Sequence, residues 1–384
     1  MQNATFREGL EGVVAARTRL SHVDGQKGEL LIAGFPLQEL APNASFEEVV
    51  YLLWHGSLPD ADTLAAFRQE LAACRELPRA TLDLLQDAAK HRVAPMDALR
   101  MAAGTLDLGG ASESETQATE VVARFPTIVA AYARLRSNQD PVAPDPSLGH
   151  AANYLYMLHG VTPSGAGAQA RALETYLNTV VDHGLNASTF TARIIVSTGS
   201  DLVSAIVGAV GALKGPLHGG APGPALDMVF EIGQPERAQS YLRAKLERGE
   251  RLMGFGHRVY KVRDPRAEVL SAAAADLYER GEQIEGDQSL YELARHVEAK
   301  AVALLEEYKP GRNLQTNVEY YTALLLHGLG LNTDLFSATF AIGRAPGWIA
   351  HCLEQRRQGR LIRPSSEYVG ERDRRWTPLN GRGQ

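Results

Sequence analysis

The sequence predicts a mainly helical protein, on three observations. Apolar residues recur at helical spacing in many separate segments. Only one stretch has the composition of a strand, and no strands alternate with helices as a doubly wound sheet requires. Taken in order, Gly28 to Leu37 is that stretch, expected as a small ribbon. Ser45 to Gly56 opens with a capping box, Ser45 and Glu48, keeps its apolar residues on one face and stops at a glycine. Ala168 to Val181 carries one apolar face at positions 173, 176, 177, 180 and 181. Ser200 to Leu213 is small and apolar all round, the pattern of a buried helix packed closely on another helix or subunit. Pro235 to Gly249, Arg266 to Arg280, Ser289 to Tyr308 and Asn317 to Leu326 complete the helical segments. Three Pro/Gly-rich breaks interrupt them: Arg136 to Gly149, Lys214 to Pro224 and Lys309 to Asn317. The stretch between the last two has the size of a smaller domain inserted in a larger one.

Composition narrows the class. The 384 residues are enough for one large domain or two ordinary ones. A net charge of −6 gives no overall pull toward nucleic acid or an anionic membrane. The first residues, MQNATFREGLEG, lack a basic segment followed by an apolar core, so no signal peptide is expected. Leu202 to Leu213 is too short to span a bilayer. Cys74 and Cys352 are far apart, which argues against a zinc site or disulfide framework and fits a reducing cytoplasm.

Three places carry groups suited to chemistry. His218 sits in GPLHGGAPG, where glycine and proline leave the imidazole uncrowded just before a helical segment. Positive potential at a helix start favours its neutral form, which can donate to a carbonyl becoming an enolate. By itself the spacing is equally that of a histidine bonded within a turn. Arg251 to Arg266, RLMGFGHRVYKVRDPR, holds five Arg/Lys and His257 against one acid, Asp264. Such a basic island suits phosphates or carboxylates, and on charge alone a solvated loop is as good a reading. Asn317-Val318-Glu319 starts an apolar helix, with Asn317 as N-cap. The helix dipole there favours an ionised Glu319, the form a general base needs. His183 in DHGLNAST and Arg344 in AIGRAPGW are further polar residues flanked by glycines. No HExxH, phosphate-binding loop or GxSxG elbow is present.

Together these segments resemble the citrate synthase family. GFGHRVYKVRDPR (254 to 266) is similar to its signature, and GPLHGGA, DHGLNASTFTA, NVEYYTALLLHGLG and FAIGRAPGWIAH agree in order and spacing. An early segment around Asp24 and Gly25 fits as well. The resemblance implies an all-α, two-domain fold: a large domain of residues 1–219 and 329–384, and a small domain of 220–328. It implies oxaloacetate and acetyl-CoA as substrates, with no metal or other cofactor, and domain closure between them. It also implies an obligate homodimer. Carried over residue by residue, His218 bonds the thioester oxygen, Glu319 removes the methyl proton and His257 polarises the ketone. His183, Arg266 and Arg344 bind oxaloacetate, and Arg363 is lent by the other subunit. Asn186 and Ser188 support the histidines, while Gly254, Phe255, Gly256 and Lys261 lie where coenzyme A binds.

The chain departs from the family twice. The base is normally an aspartate, and Glu319 adds a methylene that moves the carboxylate by roughly 1.5 Å, where misplacement of about 1 Å can cost a hundredfold in rate. Pro222-Gly223 stands where Asn-Glu is usual, removing a capping side chain behind His218, although proline can start a helix. Three readings follow: a citrate synthase, a 2-methylcitrate synthase using propionyl-CoA, and a diverged ligand-binding paralogue of low activity.

Overall fold

The computed structural model describes residues 6–109, 114–163, 167–219 and 222–382. Among these, sixteen α-helices and three short strands form the chain. The strands are β1 (Ser21–Asp24), β2 (Glu29–Ile32) and β3 (Phe35–Pro36), antiparallel in that order. The helices are α1 (Leu37–Asn43), α2 (Phe46–His55), α3 (Ala61–Ala73), α4 (Arg79–Lys90), α5 (Pro95–Ala103), α6 (Ser114–Arg136), α7 (His150–His159) and α8 (Ala168–Val180). They continue with α9 (Ala187–Ser197), α10 (Leu202–Leu213), α11 (Pro222–Ile232), α12 (Pro235–Glu247), α13 (Pro265–Glu279), α14 (Gln288–Tyr308), α15 (Val318–Gly328) and α16 (Phe336–Gln358).

The expected all-α class holds. Gly28 to Leu37 is a ribbon, but it turns on itself: Ala33 and Gly34 adopt positive φ and divide it into β2 and β3. Its other partner, β1, lies in a segment too polar to read as a strand. The capping box at Ser45 and Glu48 forms, with both reciprocal bonds present. In α10, bare glycine lets a neighbour in: a Cβ at Gly208 would lie 2.3 Å from the Ile195 side chain of α9. That close approach is why the segment is small and apolar all round.

Helix α16 runs through the core. From Phe336 to Cys352 nearly every residue is buried, including Trp348 and Arg344. Gly343 and Gly347 let its backbone lie against the end of α8. A Cβ at Gly347 would sit 2.1 Å from the Val181 carbonyl oxygen, so only glycine fits. Helix α11 begins at Pro222, inside the expected break of Lys214 to Pro224, at a residue whose fixed φ suits a helix start. Gly220, the expected first residue of the small domain, lies outside the described residues. Among the described residues no helix is long and apolar enough to cross a membrane.

Candidate active site

One cleft of about 770 Å³ gathers most of the residues singled out in the sequence. His183, Asn186, His218, His257, Arg266, Glu319 and Arg344 all line it. They come from distant parts of the chain: the α8–α9 loop, the turn before α11, the loop before α13, and the helices α13, α15 and α16.

Each is held by local structure. Asn317 caps α15 by accepting from the Glu319 amide at 3.0 Å, which places Glu319 in the first turn. Its Nδ2 donates to the Gly256 carbonyl at 2.9 Å, and its amide donates to the Gly254 carbonyl at 2.9 Å. Gly254 and Gly256, both at positive φ, therefore anchor the start of α15. Asp264 caps α13 and is fully buried with Arg266, bonding Nε at 3.0 Å and Nη2 at 2.8 Å. It also accepts from the Val318 amide at 3.2 Å, tying the two helix starts together.

The histidines are fixed in distinct ways. The amides of Val259 and Tyr260 donate to His257 Nδ1 at 3.0 and 3.1 Å. In the neutral ring the hydrogen therefore belongs on Nε2, which lies 3.1 Å from Arg266 Nη2. An arginine only donates, so Nε2–H and Nη2 face each other donor to donor at 3.1 Å, a contact that an acceptor oxygen placed between them would relieve. His218 rests its Nε2 on Ser188, 2.8 Å from Oγ and 3.3 Å from the amide. Ser188 Oγ also bonds Asn186 Oδ1 at 2.8 Å, and Asn186 caps α9 by accepting from the Thr189 amide. His183 Nε2 lies 3.0 Å from the Tyr260 hydroxyl.

Burial sets the protonation of these groups. His218 is lowered to about 4, first by burial and then by the positive Arg344. His257 is also lowered to about 4, by burial and then by Arg266. His183 falls well below its ordinary value, by burial and then by Arg266, Arg344 and His257. All three are neutral at pH 7. The neutral state expected of His218 is present, but burial rather than a helix start comes first among its causes. For Glu319 the expected direction reverses. Burial raises its carboxyl above the ordinary glutamate value, with Arg266 pulling it back and Asp264 adding to the rise. Burial lowers Arg344 to about 10, against the upward pull of Asp182.

Some expected residues stand elsewhere. Ser188 is behind the wall, fully buried beneath His218. Gly254, Phe255, Gly256 and Lys261 are not part of the cleft wall, which this loop supplies through His257, Arg258 and Val259. Phe255 bridges to Thr316, and the Lys261 amide donates to the Gly25 carbonyl at 2.8 Å. Arg363 is exposed on the extended tail after α16 and does not line the cleft.

The structure adds residues that the sequence did not single out. Gly9 to Val13 and Ala15 line one side of the cleft, and Glu11 approaches Arg258 at 3.5 Å. Phe340 and Thr322 line it one helical turn from Arg344 and Glu319. For Thr322, the helical spacing from Glu319 within the expected segment Asn317 to Leu326 was the available signal; no helix was expected over the residues of α16.

Comparison with known proteins identifies the family. The sequence model of the family described as "Citrate synthase, C-terminal domain" matches residues 9–365. The citrate synthase of Haloferax volcanii is 42% identical, over 98% of this chain and 99% of its own. The 2-methylcitrate synthase of Mycobacterium tuberculosis is 39% identical, over 96% and 92%. The structure of the Thermoplasma acidophilum citrate synthase, a ternary complex with carboxymethyl coenzyme A and oxaloacetate, is similar at a TM-score of 0.87 and 29% identity. It covers 98% of this chain and 100% of its own. With the family matched from residue 9 to 365 and close relatives along nearly the whole length, this chain belongs to the citrate synthase family.

Proposed function

We propose that the chain is a citrate synthase, condensing acetyl-CoA with oxaloacetate and hydrolysing the citryl-CoA formed to citrate and CoA. The observation that carries this is one cleft holding a half-buried carboxyl, three neutral histidines and two buried arginines in a chain of this family. Glu319 takes a proton from the thioester methyl group. The electron pair left behind moves toward the thioester oxygen, where a hydrogen bond from His218 stabilises it. That bond needs the His218 hydrogen on Nδ1, and the Ser188 amide, a donor only, supports this tautomer from beside Nε2. The methyl carbon then attacks the oxaloacetate ketone, whose oxygen gains negative charge and is protonated. His257 Nε2–H and Arg266 supply the two donors for oxaloacetate, and Arg344 and His183 hold it in reach. Water then cleaves the thioester.

Both substrates are anions, which suits a wall that carries Arg258, Arg266 and Arg344. The reaction in this form calls on no metal. The raised carboxyl of Glu319 supports its role, since a stronger base needs less help to remove a weakly acidic proton. The small domain, 220–328, would close on the rest of the chain over oxaloacetate, with Gly254 to Gly256 and Lys261 turned to coenzyme A by that movement. The protein acts as a cytoplasmic homodimer with Arg363 completing the partner's site.

The test is release of free CoA from oxaloacetate with acetyl-CoA or propionyl-CoA. Release with acetyl-CoA is expected, and Glu319→Gln should lower it on the order of a thousandfold while oxaloacetate still binds. A preference for propionyl-CoA would assign the chain to 2-methylcitrate synthesis. No release with either substrate would leave a ligand-binding paralogue.

A further inference from the structure

We infer that α16 is a positioning spine for the whole site: Arg344 faces the substrate, Trp348 sets His218 through Ser188, and His351 sets His183 through Asp182. This rests on the catalytic reading above and assigns Trp348 and His351 as positioning residues.

Positions 344, 348 and 351 follow the spacing i, i+4, i+7, so they share one helix face. All three are buried, as are Ser188, Asp182 and Arg193. That face meets the end of α8 at backbone distance because Gly343 and Gly347 carry no side chain there.

The first arm runs to the thioester side. Trp348 Nε1 only donates, and it bonds Ser188 Oγ at 3.0 Å. With one lone pair taken, the hydroxyl hydrogen is left two acceptors, Asn186 Oδ1 and His218 Nε2, each 2.8 Å away. Turned to His218, it favours the tautomer with the hydrogen on Nδ1. Without the indole, the hydroxyl gains rotational freedom and His218 loses a fixed support.

The second arm runs to the oxaloacetate side. Arg193 Nη1 lies 2.9 Å from His351 Nδ1 and only donates, so that nitrogen accepts. His351 Nε2 then carries a hydrogen, and it bonds the Asp182 carboxylate at 3.1 and 3.3 Å. Ser21 Oγ donates to the same carboxylate at 2.5 Å and accepts from the Gly184 amide at 2.9 Å. Both chain neighbours of His183 are thus tied down, and the ring between them is aimed at the cleft. Arg193 is itself held by Glu354 and Gln355 from the same helix.

The experiment measures kcat and oxaloacetate affinity separately, by CoA release and by calorimetry, with thermal unfolding as a control. Trp348→Phe keeps the bulk and removes the donor. It is expected to lower kcat on the order of tenfold and to leave oxaloacetate Kd within about twofold. Ser188→Ala removes the other end of that contact without opening a large cavity, and should act in the same direction. His351→Leu is expected to weaken oxaloacetate on the order of tenfold and to leave kcat at saturation within about threefold. Ser21→Ala should do the same more mildly, and His351→Gln, which keeps a donor for Asp182, should recover most of the affinity. Parallel changes in both quantities across the two arms, or no change in either, would overturn the spine. Absence of CoA release from the unaltered chain overturns the citrate synthase reading instead, and is seen before any variant is made.

Discussion

At the scale of single residues, the site works by withholding water from groups that water would otherwise level. His218 and His257 both titrate near pH 4, so their neutral forms persist through the physiological range. Glu319 moves the other way, above its ordinary 4.5. In the proposed reaction Glu319 acts as its anion, so activity is expected to fall as pH drops through this raised value. The acid limb of kcat/KM is therefore expected above pH 4.5 and to belong to Glu319. Glu319→Asp should shift that limb downward and lower kcat about a hundredfold, through the shorter reach. A limb that stays in place in this variant would assign it to another group. Much of this residue level was legible beforehand. Histidines and arginines among glycines are conspicuous, and all but Arg363 of the oxaloacetate set reach one cleft. Trp348 and His351 were not picked out as supports, because a tryptophan in an apolar helix reads as core whatever its indole hydrogen bonds.

At the scale of elements, helix starts and bare glycines decide the geometry. Asp264 and Asn317 cap α13 and α15 and, by their remaining bonds, lock the two helix starts to one another and to the loop of His257. The Asn317 cap could be read directly, since capping depends on neighbours in sequence. Asp264 appeared in sequence only as the acid among five cations. Its work is to neutralise a buried arginine, which depends on burial. Gly347 is the sharpest case. Gly347→Ala would place a methyl group 2.1 Å from the Val181 carbonyl oxygen and push α16 away from the strand of chain leading to His183. A drop in Tm of several degrees with loss of oxaloacetate binding is expected, at a cost of about 1–3 kcal/mol for overpacking. Unchanged Tm and binding would show that the helix can shift freely.

At the scale of the molecule, the proposed dimer predicts a division of labour. Arg363 stands exposed on the tail, and the reading has it serve the partner's cleft. Arg363→Ala and Glu319→Gln should each be nearly inactive alone. Co-refolded in equal amounts, they form mixed dimers in which one of the two clefts has both residues intact. Activity should return to about a quarter of that of the unaltered protein, since half the dimers are mixed and each has one good site. No recovery would place Arg363 in its own chain's cleft or outside the reaction.

The sequence by itself determined the helical class, the caps at Ser45 and Asn317, the breaks and the chemical groups of the site. Each of these depends on periodicity, on neighbours a few residues apart, or on which side chains can donate, accept or carry charge. The family resemblance then joined the groups. Only the tertiary structure decided how they are tuned: that burial raises the Glu319 carboxyl against the pull of Arg266, that Ser188 supports His218 from below, and that Asp182 ties His351 to the segment of His183. These depend on how much water is excluded and on which distant segments meet, and neither can be computed from local spacing.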